Sequence, residues 1–207
     1  MKRIVRFVAC LPLLAGCLLR NTSDPPRFFR PVSTMLDVPA ADVAPSVQPG
    51  TLPVRLRPVQ ATPFLRERVV WRRSEGEYGL YEERRWTEPP ARYVERALTS
   101  ALEATPGISL TSDRRAESLS IELLAFDEVL YPRHEANIVV AASLNDADGP
   151  LLLQRTFSAT EAIADDHPGS MPHAMGSALD ELARQVAGAV AASASQRPRG
   201  PRSGSTG

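Results

Sequence analysis

"LYEERRWTEPPARYVERAL", residues 80–98, changes its period at one pair of prolines, and that change sets the architecture. Before the pair, Glu82, Glu83, Arg84 and Arg85 close a segment in which alternation places one glutamate and one arginine on each face, as in a strand. After it, Tyr93, Val94, Ala97, Leu98, Ala101 and Leu102 recur at steps of three and four, the apolar stripe of an amphipathic helix. Pro89 and Pro90 have no amide hydrogen to donate, so they fit only the first turn of that helix; Thr87 is the expected N-cap. Trp86 stands between the two patterns. A large aromatic at a strand-to-helix corner is expected to bury its ring between sheet and helix and to place its indole N–H on an acceptor. Trp86 and Pro89 then form a structural corner, and the charged run reads as a solvated strand end or a surface that meets a neighbouring subunit.

The flanking segments extend this reading. "TLPVRLRPVQA" (51–61) alternates Val54 and Leu56 against Arg55 and Arg57, and "RVVWRR" (68–73) joins "YGLYEERRW" (78–86) through the turn "SEGE" as a hairpin. "TPG" (105–107) ends the helix. Four more strand patterns follow: "ISLTSD" (108–113), "SLSIELLAFDEVLY" (118–131), "EANIVVAASLND" (135–146) and "LLLQRTFSATEAI" (151–163), the last two joined by the turn "NDADGP". In the second of these the apolar phase runs 119, 121, 123 and then 124, 126, which predicts a bulge near Leu124. In the third, Ala136, Ile138, Val140, Ala142 and Leu144 point inward. Met171, Met175, Leu179, Leu182, Val186 and Val190 make the stripe of a second helix. The expected fold is α+β, a single domain with two amphipathic helices packed on a mainly antiparallel sheet.

The N-terminus carries a different kind of signal. Lys2, Arg3 and Arg6 precede the apolar "FVACLPLLA" (7–15), which is far shorter than the roughly 20 residues of a transmembrane helix and reads as a secretion signal. Its end, "LAGC" (14–17), resembles the bacterial lipobox, at which Cys17 would be diacylated and become the new N-terminus. The other cysteine, Cys10, would leave with the signal, so no disulfide framework is possible. Three cations leave as well, so 21 basic residues face 24 acidic ones, a net charge of −3. That balance argues against nucleic acid as the partner. Leu18 follows the cysteine in place of an aspartate retention signal, which points to the outer membrane. Residues 1–16 are thus read as signal peptide, 17–50 as lipidated cysteine and proline-rich tether with a short strand near Phe28 and Phe29, 51–194 as the folded domain, and 195–207 as a disordered tail.

Candidate chemistry is sparse. "DDHPGSMPH" (165–173) places His167 and His173 near two aspartates, but its spacing is not a recurrent ligand pattern and its prolines and glycine read as a loop entering the last helix. His134 in "YPRHEAN" reads as a surface histidine in a turn. There is no nucleophile elbow, no phosphate-cradling glycine loop and no cysteine–histidine pair. No catalytic residue, cofactor or metal site is therefore assigned.

The lipobox, "TPFLRERVVWRR" (62–73), the "YEERRWTEPP" corner (81–90) and the C-terminal amphipathic helix together resemble the ABC-type transport auxiliary lipoprotein family, that of the paraquat-inducible intermembrane transport lipoprotein. The most specific pieces are Pro63-Phe64-Leu65, the strand Val69-Val70-Trp71, and Trp86 with Pro89 three positions later. The resemblance implies a non-enzymatic, periplasmic, lipid-anchored subunit working beside a permease, an ATPase and an MCE-type protein in lipid transport. It further implies docking at the outer membrane as a homo-oligomer. A lipoprotein of outer-membrane or secretion-machinery assembly is the alternative, and a periplasmic hydrolase using His167 or His173 a third.

Overall fold

The computed structural model describes residues 25–37, 51–147, 149–165 and 167–195. Nine strands and two helices follow in the order β1 (Arg27–Phe29), β2 (Leu52–Leu56), β3 (Gln60–Ala61), β4 (Arg68–Ser74), β5 (Glu77–Trp86), α1 (Pro90–Ala104), β6 (Ile108–Leu110), β7 (Glu117–Val129), β8 (Glu135–Asn145), β9 (Leu151–Ala162) and α2 (Ser170–Ser195). All strands join one sheet, and both helices pack on it to form a single α+β domain.

β7 organises the sheet. Along one flank it pairs antiparallel with β8, which pairs antiparallel with β9. Along the other it is met in succession by β2, β3 and β4, all parallel to it: Val54 lies opposite Glu117, Gln60 opposite Glu122, and Val70 opposite Asp127. The segment 52–74 is thus one interrupted strand. It leaves the ladder around Pro58 and Pro63, which cannot donate to it, and Val59 and Leu65 turn into the core there. The sheet is accordingly mixed, since β1–β5 and β2–β6 are also parallel. The expected hairpin is present as β4–β5, and the expected bulge falls between Leu123 and Ala125, with Leu124 turned out to 39% exposure.

The helices supply the opposing layer. The stripe Tyr93, Val94, Ala97, Leu98, Ala101 and Leu102 of α1 is buried, as is Met171, Met175, Leu179, Leu182, Val186 and Val190 of α2; both join the inward set Ala136 to Leu144 of β8 in one core, with α2 lying on β8 and β9 and α1 beside α2 and β6. α1 starts at Pro90 with Pro89 as its N-cap, and the cap has no side-chain hydrogen bond. Thr87 lies two residues too early to cap: its hydroxyl instead lies 2.7 Å from that of Tyr93. Gly107, at φ 85°, turns the chain from α1 into β6 in a conformation that side chains resist.

Residues 27–37, within the segment read as tether, are folded onto the domain, and the short strand expected to dock there near Phe28 and Phe29 is β1. β1 adds to β5 in parallel, and the Thr87 amide donates to the Phe29 carbonyl at 2.9 Å. The chain then crosses α2 as a strap. Its Val32 carbonyl rests on Gly176, where an alanine Cβ would lie 1.8 Å from the oxygen. Alanine normally stabilises a helix interior relative to glycine by up to about 1 kcal/mol. Here the clash is with backbone, so Gly176→Ala is expected to lose about 1–3 kcal/mol and to expose residues 30–37 to limited proteolysis. Unchanged stability and cleavage in the variant would show that the strap does not sit on α2.

Candidate functional site

The corner of residues 80–98 is built around Trp86, which is 1% exposed. Its ring meets Phe126 of β7 edge-on at 5.3 Å between centroids and Tyr93 of α1 at 6.2 Å, so one side chain ties strand, central strand and helix together. The expected acceptor for its indole N–H is not found: Nε1 is buried without a hydrogen-bond partner among the described residues. Close aromatic packing, rather than a polar link, holds the ring. The Tyr93 hydroxyl accepts from the Glu88 amide at 3.0 Å, and Arg96 grips the Glu88 carboxylate with two bonds of 2.7 and 2.9 Å. Arg96 holds the Glu88 carboxyl below its ordinary range by hydrogen bonding.

The charged run is not uniformly solvated. Arg68 lies opposite Arg85 and Val70 opposite Leu80, so five positions on β5 answer two on β4 and the strand is irregular between them. Within this irregularity Arg84 turns to Glu128 of β7 at 3.0 Å and lies 4.3 Å above the Tyr81 ring. Glu82 and Glu83 do stay exposed. Glu128 is buried and lies 2.7 Å from His134 Nε2. Burial, followed by the charge of Glu128, pushes the Tyr81 hydroxyl well above the ordinary tyrosine value. His134 is therefore half-buried in an ionic cluster, not a free surface histidine. The neighbouring Asp127 is buried on Arg72 at 2.8 Å and on Asn137 at 2.6 Å. Two adjacent acids inside an otherwise apolar strand were the signal for this cluster, but their partners lie on other strands.

Both carboxylates are held by arginine, which stabilises their charged forms and suits a structural lock better than a general base. "DDHPGSMPH" forms the turn into α2: the His167 amide donates to Asp165 Oδ1 at 2.9 Å, and the Ser170 hydroxyl donates to the same oxygen. The Ser170 hydrogen bond, then that of the His167 amide, lowers the Asp165 pKa. His173 is exposed on α2, and no cluster of three potential metal ligands occurs among the described residues. A cavity of about 1040 Å³ opens between the end of α1, β2 and β6, with Arg55, Arg57, Glu95 and Glu103 at its wall. Its mixed charge selects no ligand class.

The carboxylate of Asp180 on α2 anchors the strap. It accepts from the Ser33 hydroxyl at 2.5 Å, the Thr34 amide at 2.9 Å and the Thr34 hydroxyl at 2.6 Å. Ser100 of α1 donates to the Met35 carbonyl at 2.9 Å, so both helices hold the strap. Sequence patterning places Asp180 only on a non-core face of α2. Cys17 lies outside the described residues, and no described helix is long and apolar enough to cross a membrane.

A mixed sheet backed by two helices, with its N-terminal segment strapped across them, defines a two-layer α+β domain. The same fold is seen in protein XCC0632 from Xanthomonas campestris, family DUF330, at 18% identity with a TM-score of 0.67, covering 82% of this chain and 98% of that one. It is seen again in an uncharacterized protein at 16% identity and a TM-score of 0.60, with the same coverage. No curated protein matches. The chain belongs to the ABC-type transport auxiliary lipoprotein family, whose model matches residues 35–187.

Proposed function

We propose that this chain is a non-enzymatic, lipid-anchored periplasmic subunit of an ABC/MCE-type intermembrane lipid transport system, which docks the transport assembly at the outer membrane. Membership of the transport auxiliary family over residues 35–187 carries the reading. The lipobox ending at Cys17 supports the anchor, and the arginine-held acids Asp127 and Glu128 support a structural rather than a catalytic role. Like subunits would assemble through β9, a twelve-residue strand with a hydrogen-bonded neighbour on one side. Such an edge is a ready template for pairing with another chain.

Purification of a tagged, full-length protein from detergent-solubilised membranes is expected to bring down a permease, an ATPase and an MCE-type protein. Recovery of an outer-membrane barrel or a secretin in their place would overturn this reading in favour of an assembly lipoprotein. Recovery of no partner would count against both.

A further inference from the structure

The position of β1 changes how far the domain can stand from its anchor. Were residues 17–50 a free tether, the 34 steps from Cys17 to Thr51 could span about 120 Å at full extension. Because β1 is built into the sheet, only ten steps separate Cys17 from Arg27, a reach of at most about 35 Å. The domain is thus held near the membrane by the β1 side of its sheet.

That side has a distinctive surface. Phe28 is 61% exposed. Phe28 lies opposite Arg85, and Arg85 opposite Arg68, so these three side chains share one face of the sheet across three adjacent strands. Arg68 and Arg85 have no carboxylate partner among the described residues, in contrast to Arg72, Arg84 and Arg96. Glu67, Glu82 and Glu83 are also exposed in this region. The surface therefore has little net charge, and its recognition chemistry is local: guanidinium forks that match phosphate oxygens, and an aromatic ring free to enter an interface.

We propose that β1 holds this surface, Phe28 with Arg68 and Arg85, against the phospholipid headgroups of the membrane that carries the acyl chains on Cys17. The anchoring half of the proposal rests on the lipoprotein reading above; the headgroup contact does not. The pairing of β1 with β5 keeps the reach short, since Arg27–Phe29 precede the strap in the chain.

The test uses an environment-sensitive dye on a single introduced cysteine, Phe28→Cys or, as the distant control, Arg114→Cys ahead of β7. Cys17 is either lipidated or replaced by serine, and each signal-free full chain is mixed with vesicles of phosphatidylethanolamine containing a minority of phosphatidylglycerol. The dye at position 28 is expected to report an apolar surrounding in both forms, while that at 114 stays in water. Arg68→Glu with Arg85→Glu should weaken vesicle binding of the serine form at least about tenfold, since each arginine at an anionic surface contributes about 1 kcal/mol. Should that variant fold poorly, raising the salt concentration on the wild-type surface reads the same contact and should release it. Equal signals at 28 and 114, or a dye at 28 that remains in water in both forms, would overturn the headgroup contact. Absence of lipid on Cys17 by mass spectrometry would overturn the anchor, and a positive serine form would then leave the contact standing.

Discussion

Replacing Trp86 by alanine is expected to lower the unfolding free energy by about 3–5 kcal/mol, a large share of what a domain of this size has to lose. The ring is 1% exposed and is the largest fully buried side chain in the core. It touches Phe126 and Tyr93 edge-on, so its removal deletes two aromatic contacts and leaves a hole at the junction of β5, β7 and α1. The hole cannot collapse easily, because the backbone on either side is fixed. The Trp86 amide donates to the Glu67 carbonyl at 2.6 Å, and Pro89 and Pro90 set the start of α1. No hydrogen bond is lost with the indole, since Nε1 has no partner among the described residues. Trp86→Phe should therefore recover more than half of the loss. Urea unfolding of the three proteins measures this; a loss under about 1 kcal/mol in the alanine variant, the range of surface positions, would show that Trp86 is not the core anchor.

Cys17→Ala is expected to abolish fatty-acid labelling and to move the protein from the salt-washed membrane fraction to the soluble one. The effect is all-or-none in character because the thiol is the sole attachment atom for the proposed diacyl group. Each buried methylene contributes about 0.8 kcal/mol, and a single chain gives only marginal binding, so firm anchoring depends on two chains or more. The contact argued for Phe28 and its arginines is salt-sensitive and does not replace those chains. The substitution leaves the core untouched, since the strap's contacts with Gly176 and Asp180 begin at Val32. Metabolic labelling with a fatty acid, followed by membrane fractionation at high salt, gives the outcome; persistent labelling in the variant would place the lipid elsewhere or refute it.

Local pattern was enough to locate most elements. The apolar stripes of α1 and α2 were readable because helical spacing is a short-range property, and all twelve of their named positions are buried. The bulge at Leu124 was readable as a slip of phase from 119, 121, 123 to 124, 126. The burial of Trp86 followed from its place between a strand and a proline-started helix. The capping residue was misplaced because Thr87, a common N-cap type, found the Tyr93 hydroxyl, a partner six residues ahead.

Pairing across long sequence separations was not readable. Nothing in 52–74 marks it as an interrupted strand parallel to β7, because the partner positions lie more than fifty residues on and the same alternation suits either direction. The arginines of 72–85 show the same limit: Arg72 and Arg84 are locked to Asp127 and Glu128, whereas Arg85 is left to the surface, and their residue type is identical. The reach of the N-terminal segment was hidden for a related reason. Its composition is that of a tether, and only the pairing of β1 with β5, the carbonyl seat on Gly176 and the Asp180 clip turn residues 27–37 into part of the domain.

The sequence by itself determined the elements, the α+β class, the family and the expectation of a lipid at Cys17, since each rests on neighbouring residues in a fixed short order. The tertiary structure decided the mixed topology, which charges are locked and which are free, and that the folded domain takes in residues from Arg27 onward. Those depend on which distant groups meet, and burial then sets the strength of each meeting.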